Sequence, residues 1–409
     1  MSIGLLLKTF HSYGLGSGLL PAPLRLDLDL DRIHFSKRSH QRRFYLAYTA
    51  CLHVLLIVLL PCTFPVFMYD ESYMRDRLVL QWAFNLTNVT RIMAMIACGY
   101  LTWTKRKPLL QLGEGLARHC HRCRLLENGA LHPSGYRELQ KRIRGLLRQQ
   151  VFVLNLSIVS GTLLLMRIDT DVRRSNIIMV VVHMLQFIYV SIMMSGLYVI
   201  CLLLYWQMER VNLALKDLCS RLHHKERNAL LLSASLARQT LHSLGHLLQL
   251  HCEGQRLMRS LFGIFDVTIA FLLLKMFVTN VNLLYHAVQF GNDSIDTTSV
   301  TKLWGESLIV THYWTAVLLM NLVDDLTHQN GLETGEILRQ FSDLELVKRE
   351  FQLELERFSD HLRCHSTAYK CCGLFVFNKQ TSLIYFFSAL VNVLVLYQFD
   401  LKNSVLEIP

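Results

Sequence analysis

The run His119-Cys120-His121-Arg122-Cys123 combines a Cys-x-x-Cys with two imidazoles, side-chain types that hold zinc. A closed zinc site needs a second ligand pair. It is missing unless Cys364-His365 supplies it across the fold, and the neighbouring Arg residues oppose a cation. No metal is therefore expected. No cofactor is expected either, because the chain has no Gly-rich phosphate loop, nucleophile elbow or paired catalytic carboxylates in a suitable context, which also argues against an enzyme. The 11 Cys are scattered, several within apolar runs, and read as reduced thiols, with Cys371-Cys372 a place where acylation can occur. What remains chemically unusual is a pair of cations, Arg91 and Lys275, set inside apolar stretches.

Those stretches dominate the chain. Of its 409 residues 52% are hydrophobic and only 18% charged, and the mean hydropathy of +0.30 is too high for an ordinary water-soluble domain. Basic residues exceed acidic ones, 42 to 31, but fall between apolar runs rather than along one solvated stripe. A lipid bilayer, not nucleic acid, is the acidic partner this implies. None of the 7 Pro lies between Ser134 and Ile408, so nothing there must break a helix. An all-α polytopic membrane protein is expected. The apolar stretch Ile3 to Leu7 is interrupted by Lys8 and His11, so residues 1–43 read as a mature segment and not as a cleaved leader.

A helix crossing about 30 Å of hydrocarbon needs roughly 20 apolar residues. Seven windows qualify: Phe44 to Phe67, Leu78 to Trp103, Gln150 to Met166, Asn176 to Tyr205, Gly263 to Phe290, Leu303 to Val323 and Thr381 to Phe399. The second holds Asn85, Asn88 and Arg91 and the third is short, so both are expected to pack against protein or water instead of lipid. With a cytoplasmic N-terminus, 33 of the 42 Lys and Arg fall in the inner segments and 7 in the outer ones, while Arg91 and Lys275 lie within spans. That places the C-terminus outside, the reverse of the seven-helix receptors that couple to G proteins. The sequon at Asn292 falls in an outer loop, where it can be glycosylated, whereas those beginning at Asn85, Asn88 and Asn155 lie in spans.

The inner segments keep a helical period. Leu344, Val347, Phe351, Leu355, Phe358 and Leu362 form one stripe, Val211, Leu215, Leu218 and Leu222 a second, and Leu241, Leu244 and Leu248 a third. These helices are expected to extend below the membrane and pack together; the other reading lays them on the inner leaflet. Gly373 allows a turn before the last span, and Asn378 suits its N-cap. The span ends with Gln398 beside Phe399. An amide followed by a bulky aromatic suits a narrow conduction path, and equally an interfacial anchor.

These residues resemble the insect gustatory receptor family, relatives of the insect odorant receptors. The resemblance covers the architecture, about 400 residues with seven spans and an internal N-terminus, and the Gly373-Leu374-Phe375 element leading into the last span. The family motif of Thr-Tyr, five hydrophobic residues and Gln-Phe is kept in its second half, Val393 to Phe399, but Val391-Asn392 stands where Thr-Tyr is usual. The resemblance implies a plasma-membrane, ligand-gated, nonselective cation channel, a homo- or hetero-tetramer with related subunits. In it Val391, Val395, Gln398 and Phe399 line the pore and gate, and the inner helices form a shared anchor. The chain divides accordingly into an inner segment (1–43), six helices with the ligand pocket (44–323), an anchor (324–377) and the pore helix with a short tail (378–409).

By the same resemblance the ligand site lies within each subunit, among helices two to six near their outer halves. Candidate residues there are His183, Gln186, Phe187, Tyr285, His286, Trp304 and Glu306, since aromatic walls stack on sugar faces or flat alkaloid rings and a few polar groups fix orientation. Each aromatic also suits plain packing. Lys275 can read an acidic or hydroxylated ligand or make a structural hydrogen bond. Two functional readings stand side by side: a taste receptor that conducts ions when it binds a small tastant, bitter or sugar, and a receptor of the same topology that signals through a cytoplasmic partner.

Overall fold

The computed structural model describes residues 3–19, 24–27, 32–35, 39–59, 78–126, 133–166, 177–227, 234–291, 299–342, 349–364 and 368–406. A helix α1 (Ile3–Gly16) and two paired strands, β1 (Leu24–Asp27) and β2 (Arg32–Phe35), precede α2 (Ser39–Val58), α3 (Leu78–Thr104) and α4 (Arg106–Leu125). Then come α5 (Pro133–Leu165), α6 (Ile177–Arg227), α7 (Ala234–Gly291) and α8 (Ser299–Asp324), which runs through a π-helical turn, Asp325–Gln329, into α9 (Asn330–Ser342). The chain ends with α10 (Arg349–Cys364), a hairpin of β3 (Lys370–Cys371) and β4 (Phe375–Val376), and α11 (Lys379–Leu406). Each of the seven apolar windows is thus helical over most of its described residues, and the protein is an all-α polytopic membrane protein. α2 stops at Val58, and residues 60–67 of the first window lie outside the described residues. Windows long and apolar enough to span by composition alone occur in α6, α7 and α11; in α3 the polar Asn88 and Arg91 are instead turned inward and buried.

Two helices are longer than their apolar windows. α6 has 51 residues and α7 has 58, or about 77 and 87 Å at 1.5 Å per residue, far more than a bilayer requires. The excess lies at the end of α6 and the start of α7, where the stripes expected to pack do so. Val211, Leu215, Leu222, Leu244, Leu247, Phe341, Phe351 and Phe358 form one buried cluster, with Leu218, Leu241, Leu248, Leu355 and Leu362 against it. Leu344 and Val347 lie outside the described residues. Across the membrane part α3 packs on α7, α5 on α6 and α8, and α11 on α7 and α8. α1 adds Leu6 and Phe10 to the core of the membrane part, and Tyr13 Oη donates to Asn155 Oδ1 at 3.0 Å.

Both expectations at the entry to the last helix hold. Gly373 sits at φ 70°, and Asn378 Oδ1 accepts from Thr381 N–H at 2.6 Å, an N-cap bond. Lys379 Nζ pairs with Asp325 at 2.9 Å, tying the start of α11 to the π turn after α8.

Candidate ligand site and the last helix

Midway along α3 and about two turns into α6, Arg91 Nη1 stands 2.8 Å from His183 Nδ1 and also against Nε2. A guanidinium only donates, so the imidazole accepts. One turn further along α6, the Phe187 ring lies 5.1 Å beneath Lys275 Nζ from α7 and 5.9 Å from the His312 ring of α8. Arg91, Lys275 and His312 are each at most 3% exposed. Ring contact with Phe187 disperses the ammonium charge within the bundle. The close approach depends on Gly161 of α5, where a Cβ would stand 2.6 Å from Phe187 Cε1. Side chains of four helices thus meet in one inward-facing polar group around an aromatic wall, with the backbone of α5 close behind it.

Three expected residues, His183, Phe187 and Lys275, join Arg91 in this cluster. Gln186 on the same helix is fully buried, and neither side-chain polar atom has a hydrogen-bond partner among the described residues. His312 was not anticipated, although an imidazole in the middle of an apolar window is the same kind of signal that singled out His183. Tyr285 is placed elsewhere. With Leu80, Ile309 and Tyr313 it forms the buried surface on which Ala389 and Val393 of α11 rest, and Gln289 bridges its hydroxyl, at 3.1 Å, to Asp400 near the end of α11, at 2.7 Å. His286 beside it is half-buried; Trp304 is half-buried and Glu306 exposed near the start of α8. Asn292 lies outside the described residues. Below the membrane part, His119 and Cys123 sit one turn apart, 3.6 Å between ring nitrogen and sulfur, and Arg122 pairs with Glu253 at 3.0 Å. Burial lowers the His119 pKa despite the carboxylate of Glu253.

α11 differs from α6 and α7. Only 17% of its apolar window is buried, against 78% for α6 and 50% for α7. Its free face carries Leu383, Phe387, Val391, Leu394, Val395 and Phe399, with Gln398 also exposed. An apolar stripe of that length awaits either lipid or other subunits.

The profile of the family described as 7tm Chemosensory receptor matches residues 7–403. The chain belongs to this family, among the insect gustatory receptors. It is 55% identical over 401 residues to a Drosophila melanogaster protein named as gustatory receptor 58a, covering 98% of this chain and 99% of that one. It is 28% identical over 402 residues to another from the same fly named as gustatory receptor 58b, covering 98% and 94%. Among solved structures, the insect olfactory receptor OR5 from Machilis hrabei superposes with a TM-score of 0.68 at 13% identity, over 96% of this chain and 97% of that one. The same olfactory receptor in complex with eugenol gives a TM-score of 0.66. At that identity the likeness concerns the fold, and it extends along the whole receptor.

Proposed function

We propose that this receptor is a taste receptor of the plasma membrane that works as a ligand-gated, nonselective cation channel of four subunits, homomeric or mixed with related chains. Its N-terminus faces the cytoplasm and its C-terminus the exterior. The observation that carries this reading is the bare face of α11. Its own subunit leaves this helix largely uncovered, and fourfold symmetry turns four such faces toward one axis. Val391, Val395, Gln398 and Phe399 then line the pore, the amides exchanging hydrogen bonds with a hydrated ion and the Phe399 rings closing it by dewetting. The extended ends of α6 and α7 with α9 and α10 act as the anchor.

The ligand chamber of this reading lies among α3, α5, α6, α7 and α8. Phe187 offers a stacking face, while Arg91 and Lys275 donate to hydroxyl or anionic oxygen of a small tastant; His183, Gln186 and His312 orient it, and His286, Trp304 and Glu306 stand toward the mouth. That the olfactory receptor of the same fold was solved with eugenol supports a small-molecule site. His312 belongs to the chamber and the next residue, Tyr313, packs 5.1 Å from Phe386 of α11. A ligand that binds one arrangement of α8 more tightly than another therefore shifts α11 with it.

Expression in a voltage-clamped cell, challenged with sugars and bitter compounds, tests this. A ligand-evoked current whose reversal potential or leak changes in Gln398→Ala or Phe399→Ala is the expected result. A second-messenger response without conductance would overturn it in favour of signalling through a cytoplasmic partner. Tags at the two termini should leave only the C-terminal one accessible on intact cells.

A further inference from the structure

A second polar group lies away from the chamber, at the elbow between α10 and α11. The turn joining β3 to β4 places both Cys372, φ 49°, and Gly373, φ 70°, in left-handed backbone. Only glycine adopts that region without strain, so Cys372 is held there by something. The holding group is Asp266 of α7. Its Oδ1 accepts from Cys372 N–H at 2.7 Å and from the Tyr369 hydroxyl at 2.7 Å. Cys371 is fully buried, its Sγ 3.9 Å from the Asp266 main-chain oxygen, while Cys372 is exposed. The outcome is that one ligand atom from each of Asp266, Cys371 and Cys372 lies within 4.8 Å of the other two.

We propose that Asp266, Cys371 and Cys372 form a binding site for a soft divalent cation of the zinc class, which fastens the elbow leading into α11 onto α7. Two sulfurs and one carboxylate oxygen are a donor set that zinc takes and that magnesium or calcium, needing six or more oxygens, does not. Zinc–sulfur bonds of about 2.3 Å and zinc–oxygen bonds of about 2.0–2.2 Å put tetrahedral ligands roughly 3.5–3.8 Å apart, which lies inside the 4.8 Å that bounds the separations present. The hydrogen bonds from Cys372 N–H and the Tyr369 hydroxyl fall on Oδ1, which leaves Oδ2 to the metal, and water takes the fourth position. Binding displaces one proton from each thiol. Two thiolates and one carboxylate around a divalent ion leave one net negative charge, which Arg259 and Lys370, lining a cavity of about 270 Å³ beside Asp266, offset. From sequence Cys371 and Cys372 read as free thiols, because the carboxylate that completes the group lies 105 residues earlier in the chain.

The test is independent of conduction. Purified full-length receptor, stripped with a chelator, is titrated with Cd²⁺ while the ultraviolet thiolate-to-cadmium charge-transfer band is followed, and Zn²⁺ is then added as competitor. One saturating equivalent per chain, displaced by Zn²⁺, is expected. Cys371 is buried and its replacement can disturb the elbow, so Cys372→Ser, at an exposed position, is the primary variant; it should remain monodisperse, show a smaller band and bind more than tenfold more weakly. Tyr369→Phe, which removes the hydrogen bond orienting Asp266, should weaken binding about tenfold, and Cys364→Ser, outside the group, should change nothing. Absence of a saturable band, an unchanged titration in Cys372→Ser, or equal loss in Cys364→Ser would overturn the proposal.

Discussion

Replacing Gly161 by Ala puts a methyl group where Phe187 now stands. The new Cβ would lie 2.6 Å from Cε1 and 2.8 Å from Cζ of that ring, whereas unbonded carbons settle at about 3.5–4.0 Å, so the ring must retreat by roughly 1 Å. It is 8% exposed and its neighbours include Lys275 and His312, which leaves little room for that retreat. Overpacking of this kind costs about 1–3 kcal/mol. Melting of the purified receptor, followed by fluorescence-detected size exclusion, should begin a few degrees lower, and the concentration of tastant giving half response should rise as Lys275 loses its place over the ring. The cause is separable by a double substitution. Phe187→Leu alone destabilises by removing aromatic contact, but in the Gly161→Ala background it relieves the clash, so the two effects should fall short of their sum by about 1 kcal/mol or more. Gly254→Ala is the control: its Cβ would stand 2.5 Å from Met208 Sδ, but an unbranched thioether can swing aside, so the loss should be smaller. A Gly161→Ala receptor that melts with the wild type, or strict additivity with Phe187→Leu, would refute the packing argument.

Three other outcomes follow from the parts below the membrane and from the elbow. Burial, reinforced by Glu333, pushes the Glu209 carboxyl up to about 7 against its ordinary 4.5. A carboxyl raised on folding contributes fully below its unfolded value and loses that contribution as pH climbs to the folded one. Glu209→Gln should therefore match the wild type near pH 4.5 and exceed it above pH 7 by about 1–3 kcal/mol; melts across that range showing a flat difference would sink the assignment. Phe358→Ala, which empties a fully buried position in the anchor cluster, should cost about 3–5 kcal/mol, read as loss of folded receptor on size exclusion. Asn378→Ala removes the N-cap bond of α11 and should cost about 1 kcal/mol, with Asn378→Asp, which keeps an acceptor, melting near the wild type.

Much of the site was legible because of what a bilayer forbids. A cation in an apolar window has to face protein or water, so Arg91 and Lys275 pointed inward. The sequence could not say which residues they meet. His183 and Phe187 reach the cations because Gly161 lets α5 and α6 close together. Tyr285, equally aromatic and equally placed in its window, lies on a different face and supports α11. Helical period locates a residue on a face of its own helix, but not which helix that face meets.

The apolar windows, the charge bias and the inner stripes were read from residue order alone, because each depends on the chain's own period and on the cost of placing charge in hydrocarbon. So were the turn at Gly373 and the cap at Asn378, which are local. Contacts between residues far apart in the chain were decided only on folding: Arg91 against His183, Phe187 between Lys275 and His312, and Asp266 beside Cys371 and Cys372. Packing angles and close approaches between helices set these distances, and they are properties of pairs of surfaces rather than of any one segment.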